Sequence, residues 1–404
     1  MVFTKKAKNT PDTIGRLTDF KYIDDDDIYM DIACQSVRPQ PIIDSLTEYY
    51  EKYNACGGRV KYKWGQKVDS KVEETRDLVL DFLGLSAKDY ICSFTLNTTY
   101  GINLILNQLP EGVYEQVITS EIEHNSVFLP TIELSKRLEV ERTVLPRAED
   151  GSLIYTSDNI KKAVVVVNAA SNIDGRLLVN IKQLVKDTHA VGGIVIIDAA
   201  QAMAHYHEML IDCDADAICF SAHKMYAASL GGIVIRKDLL QSLNINIIGG
   251  GMVSAVREQT YDLLPDEMPS WLEPGLQAYG EIISLNHAIK WLQTVKPQGL
   301  KPTDYIAKLS NQLFVGLSDI PNLQMINKSP SPVISFYSPN IDSHRLAIFL
   351  SGAGIMVRSG YFCCHYYLIE KINTPPLVRL SIGLHTTEDD IIKTIEAIKK
   401  FTRG

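Results

Sequence analysis

Short apolar runs alternate with segments of helical periodicity through the middle of the chain. The runs that predict strands lie at residues 117–119, 163–167, 194–197, 217–220 and 232–235. Between them lie segments such as residues 181–189, whose apolar positions recur with helical spacing. Continuous apolar runs are typical of parallel strands that helices bury on both faces. The pattern therefore predicts an α/β fold with a mainly parallel central sheet.

The pattern changes to an α+β mixture after about residue 285. Helices are predicted near residues 282–294, 305–317, 344–351 and 388–401, and strands at residues 332–337 and 377–382. A chain of 404 residues is long enough for more than one domain. We expect a large domain at residues 31–284 and a smaller C-terminal domain at residues 285–404. Residues 1–30 are expected to form an arm or to join the small domain.

Composition and charge exclude several classes of protein. The net charge of -8 disfavours a nucleic-acid partner, because phosphate binding relies on clustered lysine and arginine. No apolar run is long enough to span a membrane and no signal peptide is recognisable, which favours a cytoplasmic protein without a membrane partner. The seven scattered cysteines show neither a disulfide pattern nor zinc-like spacing, so we expect reduced thiols and no metal site.

A lysine and an aspartate follow two of the predicted strands. Asp198 comes directly after the run at 194–197, and Lys224 lies in a small, polar turn after the run at 217–220. Ligands of a parallel sheet bind beyond the carboxyl ends of its strands, so both side chains are expected at one edge. The amine can form a Schiff base with an aldehyde, and the carboxylate can pair with a pyridinium nitrogen. Taken singly, each residue is more often structural.

Two polar motifs upstream suit the same ligand. Thr98 and Thr99 precede an apolar helical run, where the free N–H groups of a helix start attract a phosphate. Asn97 precedes them, and Asn97-Thr98-Thr99 serves equally well as a helix N-cap. His124 follows the run at 117–119, where an imidazole could stack on an aromatic ring or move protons. An ordinary loop histidine is the alternative.

Two amide side chains complete the set of candidates. Asn172 comes soon after the run at 163–167 and could bond a cofactor oxygen or a carboxylate, although asparagine also simply forms turns. Gln201 lies three residues past Asp198 and could reach the same ligand. No single one of these candidates indicates a binding site, but their combination does.

Together these motifs resemble the class V aminotransferase and cysteine desulfurase family of fold type I pyridoxal-phosphate enzymes. The resemblance covers nearly the whole chain and keeps the family's order and spacing. It rests on residues 29–33, Arg59, Thr98, Thr99, Glu123, His124, Ser171, Asn172, 198–201, 221–224, Arg358 and Arg379. It implies an aspartate aminotransferase-like fold with a large cofactor-binding domain and a small C-terminal domain.

The resemblance also implies pyridoxal 5'-phosphate as the cofactor and gives a role to each matching residue. Lys224 is the Schiff-base residue and the proton carrier at the substrate Cα. Asp198 pairs with the ring nitrogen, His124 stacks on the ring and Gln201 bonds the phenolic oxygen. The expected phosphate ligands are Thr98, Thr99, Ser221 and His223. The expected substrate-binding residues are Asn172, Arg358 and Arg379, of which Asn172 and Arg379 form the carboxylate clamp.

The expected reaction depends on residues 357–365. Arg358, Gly360 and Cys363 resemble the Arg-x-Gly-x-x-Cys loop of group II cysteine desulfurases and selenocysteine lyases, with Cys363 at the position of the nucleophile. The resemblance implies conversion of L-cysteine to L-alanine, with the sulfur transferred to Cys363 as a persulfide. Cys364 is adjacent, so the sequence leaves open which thiol attacks. A small buried thiol is the structural alternative for Cys363.

Other functions stay open on the sequence alone. They are a selenocysteine lyase, an aminotransferase, epimerase or lyase of the same family acting on another amino acid, and a catalytically inactive assembly partner. The resemblance implies a homodimer, L-cysteine or L-selenocysteine as substrate, and a sulfur-acceptor or iron-sulfur scaffold protein as a further partner. Leu276 departs from the family pattern, in which a threonine reaches the phosphate of the neighbouring subunit.

Overall fold

The computed structural model of the chain describes residues 16–58, 60–265 and 268–403. Arg59, one of the motif residues, and residues 1–15 of the expected arm lie outside the described residues. The α-helices are α1 (Gln40–Lys52), α2 (Lys63–Phe82), α3 (Thr98–Leu106), α4 (Asn125–Leu138), α5 (Ser157–Ile160), α6 (Ile181–Ala190), α7 (Ala202–His205), α8 (Lys237–Ser242), α9 (Tyr279–Thr294), α10 (Pro302–Ser318), α11 (Ser343–Gly352) and α12 (Glu388–Arg403).

The strands form one large sheet and three smaller ones. They are β1 (Ile28–Tyr29), β2 (Tyr90–Thr95), β3 (Gln116–Ser120), β4 (Glu141–Leu145), β5 (Ala163–Asn168), β6 (Ile194–Asp198), β7 (Ala217–Ser221), β8 (Gly231–Arg236), β9 (Val253–Val256), β10 (Tyr261–Leu263), β11 (Gln324–Met325), β12 (Val333–Tyr337), β13 (Ile355–Met356), β14 (Arg358–Gly360) and β15 (Leu377–Ser381). The strands and helices predicted from apolar periodicity all coincide with these elements.

A seven-stranded sheet forms the centre of the large part of the molecule, in the order β2-β8-β7-β6-β5-β3-β4. The pairs from β4 to β7 are all parallel. Every residue of β5 is buried, as its continuous apolar run predicts. The α/β fold with a mainly parallel sheet is confirmed.

The orientation of β8 was not predicted from the sequence. This strand runs antiparallel to both of its neighbours, β7 and β2. The link from β7 to β8 is only residues 222–230, whereas parallel neighbours need a crossover of about a dozen residues or more. The short link therefore turns the chain back, and it carries Lys224 at the carboxyl end of β7.

The C-terminal part contains a four-stranded sheet in the order β11-β12-β15-β14, packed with α10, α11 and α12. Its paired strands are antiparallel. Near the other end of the chain, β1 pairs in parallel with β13. Within residues 16–58, 60–265 and 268–403, no helix combines the length and apolar composition that crossing a bilayer requires.

Candidate active site

A cavity of about 210 Å³ lies at the carboxyl edge of the central sheet, between the ends of β5, β6 and β7 and the starts of α3 and α4. Such an edge is where α/β sheets bind ligands. The cavity is lined by most of the residues singled out in the sequence, namely Thr98, Thr99, His124, Asn172, Asp198, Gln201, Ser221, His223 and Lys224. The fold thus brings together side chains that are spread over more than a hundred residues of sequence.

Asp198 and Lys224 enter the cavity from the neighbouring strands β6 and β7. Asp198 is only 5% exposed, and its Oδ1 accepts a hydrogen bond from the Ala200 N–H at 2.9 Å. Burial raises the pKa of Asp198, which the Ala200 bond and the Lys224 charge oppose. Burial likewise lowers the pKa of Lys224, which the Asp198 charge opposes. A lysine with a lowered pKa is more readily available as a free amine.

The N-terminus of α3 forms another wall of the cavity. Asn97 caps the helix through its side-chain oxygen, as the alternative interpretation of this motif predicted. The hydroxyls of Thr98 and Ser221 lie 2.7 Å apart, and Ser221 Oγ also accepts from the Thr98 N–H at 3.0 Å. The Thr99 hydroxyl lies 2.6 Å from the Ser126 hydroxyl. The N-terminus of α3 is therefore capped by Asn97 and also contributes hydroxyl groups to the cavity wall.

His124 is the N-cap of α4. Its Nδ1 accepts a hydrogen bond from the Ser126 N–H at 3.1 Å and lies 2.8 Å from the Ser126 hydroxyl. Burial lowers the pKa of His124 to about 3, with smaller contributions from the positive charges of Lys224 and Arg379. The imidazole is therefore neutral at physiological pH.

Next to His124 in the chain, Glu123 is the centre of a buried polar network with Ser120, Arg147 and Asn168. This network was not identified from the sequence. Glu123 accepts hydrogen bonds from Arg147 at 3.3 Å and from the Asn168 N–H at 2.8 Å, and Ser120 also donates to it. The side chains of Arg147 and Glu123 are 1% and 0% exposed. The network joins the ends of β3 and β5 to the residues after β4, so it fixes the segment that carries His124.

Arg379 is buried beside the cavity. Its NH1 donates to the Asn172 carbonyl at 3.1 Å, and its NH2 donates to Asp31 Oδ1 at 2.9 Å. Its Nε has no hydrogen-bond partner among the described residues, although this atom is buried. Leaving a buried donor unpaired costs free energy, so a bound anion would be favourable here. The Asn172 side-chain amide instead donates to the Phe362 carbonyl at 2.8 Å.

Arg358 lies further out than Arg379. The two arginines are direct partners in the β14 and β15 register. The Arg358 side chain is 46% exposed, and its NH1 lies 3.6 Å from Asp31 Oδ2. Neither Arg358 nor Arg379 is among the residues that line the cavity. Asp31 therefore holds both guanidinium groups, a role that the sequence did not assign to it.

Cys363 lies on the loop after β14, in left-handed backbone. Phe362 has φ 49° and Cys363 has φ 57°. The Cys363 carbonyl accepts a hydrogen bond from the Asn125 N–H at 2.6 Å, which fastens the loop to the start of α4. The Cys363 residue is exposed. A negative charge on it would raise the pKa of both Lys224 and Arg358. The loop that carries Cys363 is also held at the cavity by Asn172, whose amide donates to the Phe362 carbonyl at 2.8 Å.

The neighbouring Cys364 has a different environment. It is 1% exposed, and its thiol donates to the Glu123 carbonyl at 3.2 Å. Burial raises the pKa of Cys364 well above its ordinary value. The thiolate, not the thiol, is the nucleophile of cysteine chemistry. Of the two adjacent cysteines, Cys363 is therefore the one with the accessible sulfur.

The side chains around the cavity fit pyridoxal phosphate. Hydroxyls at the start of a helix suit a phosphate, and a buried carboxylate suits a pyridinium nitrogen. The amine of Lys224 suits an aldehyde, and the unpaired Nε of Arg379 suits the carboxylate of an amino acid. The counterparts of the phosphate, the ring nitrogen and the aldehyde thus line one cavity, and Arg379 lies beside it.

Comparison with known proteins identifies a family and several relatives. The family model described as "Aminotransferase class-V" matches residues 28–393. The chain is 29% identical to a probable cysteine desulfurase of Borreliella burgdorferi, over 96% of this chain and 93% of the relative. It is 27% identical to a cysteine desulfurase of Pectobacterium atrosepticum, over 93% of each. The apo structure of a cysteine desulfurase from Thermococcus onnurineus superimposes with a TM-score of 0.83 at 26% identity, covering 93% of this chain and 95% of that one.

Proposed function

Because the chain belongs to the class V aminotransferase family, we propose that it is a pyridoxal-phosphate-dependent cysteine desulfurase. The observation that carries the proposal is the exposed Cys363 thiol beside the cavity that contains Lys224 and Asp198. An aminotransferase, an epimerase or an inactive assembly partner does not require a thiol at this place. Relatives at 27% to 29% identity that are named cysteine desulfurases support the same reaction.

Pyridoxal phosphate, when bound, supplies an electron sink for bonds broken at the substrate Cα. We assign its phosphate to the hydroxyls of Thr98, Thr99 and Ser221 with His223, its ring nitrogen to Asp198 and its phenolic oxygen to Gln201. The neutral imidazole of His124 would stack on the ring. These assignments rest on the lining of one cavity and on the chemistry of each side chain.

The protein contributes binding and proton transfer to the proposed reaction. Arg379 and Asn172 hold the substrate carboxylate, and the Asp31 contact fixes the Arg379 guanidinium in place. Lys224, whose pKa burial lowers, removes the proton from Cα and later returns one. Arg358 is a second cation near the thiol and the substrate. A charged pocket of this kind orients an amino acid by its carboxylate.

The sulfur step belongs to Cys363. Its thiolate attacks the sulfur of L-cysteine, so that a bond forms between the two sulfur atoms while the carbon–sulfur bond breaks. The electron pair of the broken bond stays with the carbon, which takes up a proton and leaves as L-alanine. One L-cysteine and one thiol thus become one L-alanine and one persulfide.

The decisive experiment compares the two adjacent cysteines. In Cys363→Ala we expect formation of alanine and sulfide from L-cysteine to fall by at least about a hundredfold, because the attacking thiolate is gone. Cys364→Ala is the matched control and should retain turnover, since that thiol is buried and protonated. Cofactor absorbance shows that each variant is loaded. Full turnover in loaded Cys363→Ala, or a keto acid or an inverted amino acid as the product, would contradict the proposal.

We further propose that the active protein is a homodimer. A groove of about 710 Å³ lies next to the Gly275 and Leu276 segment. Leu276 is 75% exposed there, and Val256 on the nearby hairpin is 71% exposed. A second copy of the chain would cover such apolar groups. Analytical ultracentrifugation of the cofactor-loaded protein should give twice the chain mass, and a stable monomer would contradict the proposal.

We also propose a division into a large and a small domain. The expected boundary at residue 285 falls inside α9, which packs on α1 and α2 of the large part. The end of α9 at Thr294 is therefore a better junction, since the helix itself is continuous. The sheet of β11, β12, β14 and β15 then belongs wholly to the small domain.

A further inference from the structure

Phe362, the residue directly before Cys363, contacts both residues of the proposed carboxylate clamp. The centre of its ring lies 4.7 Å from the central carbon of the Arg379 guanidinium group, which is a cation–π contact. Its carbonyl accepts a hydrogen bond from the Asn172 side-chain amide at 2.8 Å. Since Arg379 NH1 donates to the Asn172 carbonyl at 3.1 Å, the three residues form a closed set of contacts.

These contacts fix the Arg379 guanidinium group and leave one of its nitrogens for a ligand. NH1 donates to the Asn172 carbonyl and NH2 donates to Asp31 Oδ1. The Phe362 ring lies over one face of the group. Nε is buried and has no hydrogen-bond partner among the described residues. The orientation of this donor is therefore set by Asn172 and Asp31 at the edges and by Phe362 on the face.

Asn172 keeps a second amide hydrogen for the same ligand. Its Nδ2 carries two hydrogens, and the Phe362 carbonyl accepts one of them. Asn172 lines the cavity, whereas Arg379 lies beside it. A substrate carboxylate can therefore accept a hydrogen bond from Asn172 without displacing Phe362.

The backbone at Phe362 is in the left-handed region, which a residue with a large side chain rarely adopts. The φ angle is 49° at Phe362 and 57° at Cys363. Such strain persists only where the surrounding structure imposes it. Here the Asn172 amide holds the Phe362 carbonyl, and the Asn125 N–H holds the Cys363 carbonyl at 2.6 Å. The strained conformation that brings the ring onto Arg379 is therefore fixed at two successive carbonyls.

We propose that Phe362 is a positioning residue of the carboxylate clamp, whose ring orients Arg379 and whose carbonyl orients Asn172. The proposal rests on the desulfurase function proposed above, in which those two residues hold the substrate carboxylate. Phe362 also carries Cys363 on its carboxyl side. One residue thus links the site of carboxylate binding to the loop of the attacking thiol.

Two ligands that differ only in the carboxylate test this role. L-alanine carries a carboxylate and ethylamine does not, and binding of each to the cofactor-loaded full-length protein is followed by cofactor absorbance. In Phe362→Ala we expect the Kd for L-alanine to rise about tenfold, because a largely desolvated cation–π contact is lost. The Kd for ethylamine should not change. A merely structural role of Phe362 would instead move both values.

Further variants separate the ring from apolar packing. Phe362→Tyr keeps the ring and should bind L-alanine as the unmodified chain does. Phe362→Leu still packs on the buried cluster that contains Ile173 and Leu377 but has no aromatic face, so the affinity for L-alanine should stay low. Tyr366→Ala is the matched control, because this ring also follows Cys363 but stacks on Phe128 at 4.4 Å. Both Kd values should be unchanged in it.

A double-mutant cycle shows whether the ring acts through Arg379. Arg379→Lys keeps the positive charge but lacks the planar group. In this background Phe362→Ala should raise the Kd for L-alanine by less than about twofold, because the partner of the ring is already gone. A rise as large as in the unmodified background would show that the ring acts independently of Arg379, and it would overturn the proposal.

Two further outcomes would overturn it. One is an unchanged Kd for L-alanine in Phe362→Ala. The other is an equal rise for L-alanine and ethylamine, which shows general damage to the site. Failure of the desulfurase function itself is seen separately, because the unmodified chain would then form no alanine and no sulfide from L-cysteine, whatever its affinity for L-alanine.

Discussion

Ser126 serves two proposed cofactor ligands at once. Its hydroxyl lies 2.6 Å from Thr99 Oγ1 and 2.8 Å from His124 Nδ1, and its N–H donates to the same nitrogen. One small side chain therefore positions both a hydroxyl of the proposed phosphate site and the imidazole that we propose to stack on the ring. The two partners enter the cavity from different helices, α3 and α4.

Ser126→Ala should weaken cofactor binding. Losing one hydrogen-bonding hydroxyl costs about 1 kcal/mol, which corresponds to an increase in the Kd for pyridoxal phosphate of about five- to tenfold. Fluorescence titration of the cofactor-free protein measures this value. Ser135→Ala is the matched control, because Ser135 is on the same helix and donates only to the Ile132 carbonyl. Equal affinity in both variants would remove Ser126 from the cofactor site.

At the scale of single residues, the sequence predicted which residues would form the candidate site. It did not predict which of their side chains contact one another. Lys224 and Asp198 were found because each follows a continuous apolar strand, which fixes the edge of the sheet where they lie. Ser126 carried no such signal, since a serine at a helix start is common. Ser126 matters because its hydroxyl contacts the hydroxyl of Thr99. Only the folded structure brings these two hydroxyls together. Similarly, adjacency in sequence could not distinguish Cys363 from Cys364, which differ in burial.

Among the elements, strands buried on both faces were predictable and their connections were less so. The run at 163–167 is continuous and apolar, and β5 is buried along its whole length. The direction of β8 depends on the length of a link rather than on any apolar pattern. The Glu123 network escaped prediction for a related reason, because its members come from strands that are neighbours only in the folded sheet.

Glu123→Gln should destabilise the sheet edge that carries His124. The substitution leaves the buried Arg147 charge without its partner, which costs about 3 to 5 kcal/mol. We expect a lower midpoint of urea unfolding and a correspondingly lower Tm. Unfolding followed by circular dichroism measures both quantities.

The matched control for this network is an exposed ion pair between the residues that directly precede β3 and β5. Glu115 and Lys162 lie 2.7 Å apart, and their side chains are 53% and 50% exposed. Glu115→Gln should leave the free energy of unfolding nearly unchanged, because water screens such exposed pairs. If both variants lost equal stability, the buried network would have no special role in holding the strand ends.

On the scale of the whole molecule, the N-terminal segment joins the beginning of the chain to the C-terminal part. β1 pairs with β13, and Arg16 lies 3.5 Å from Asp390 at the start of α12. Phe20 is fully buried and packs edge-on against Trp291 of α9. The segment therefore contacts both halves of the proposed domain structure, and its loss would expose surface on each.

His385 makes this junction sensitive to acid. Its ring Nε2–H donates to the Tyr29 carbonyl at 2.8 Å, and its Nδ1 is buried without a hydrogen-bond partner among the described residues. Burial lowers the pKa of His385 from 6.5 to about 4. The unfolded chain therefore binds a proton below about pH 6.5 that the folded chain refuses until about pH 4. The stability that this histidine contributes is complete above pH 6.5 and decreases as the pH falls through that window.

The difference between His385→Gln and the unmodified chain measures this contribution. Glutamine can still donate to the Tyr29 carbonyl but cannot titrate, so the variant should lose less stability on acidification. We expect the unmodified chain to lose about 2 kcal/mol more than the variant between about pH 7.5 and about pH 5. Urea unfolding at the two pH values gives the result. His124 and His223, whose pKa values burial also lowers, titrate in both proteins and cancel from the difference. Equal losses in the two proteins would mean that His385 takes up its proton as easily in the folded chain as in the unfolded one.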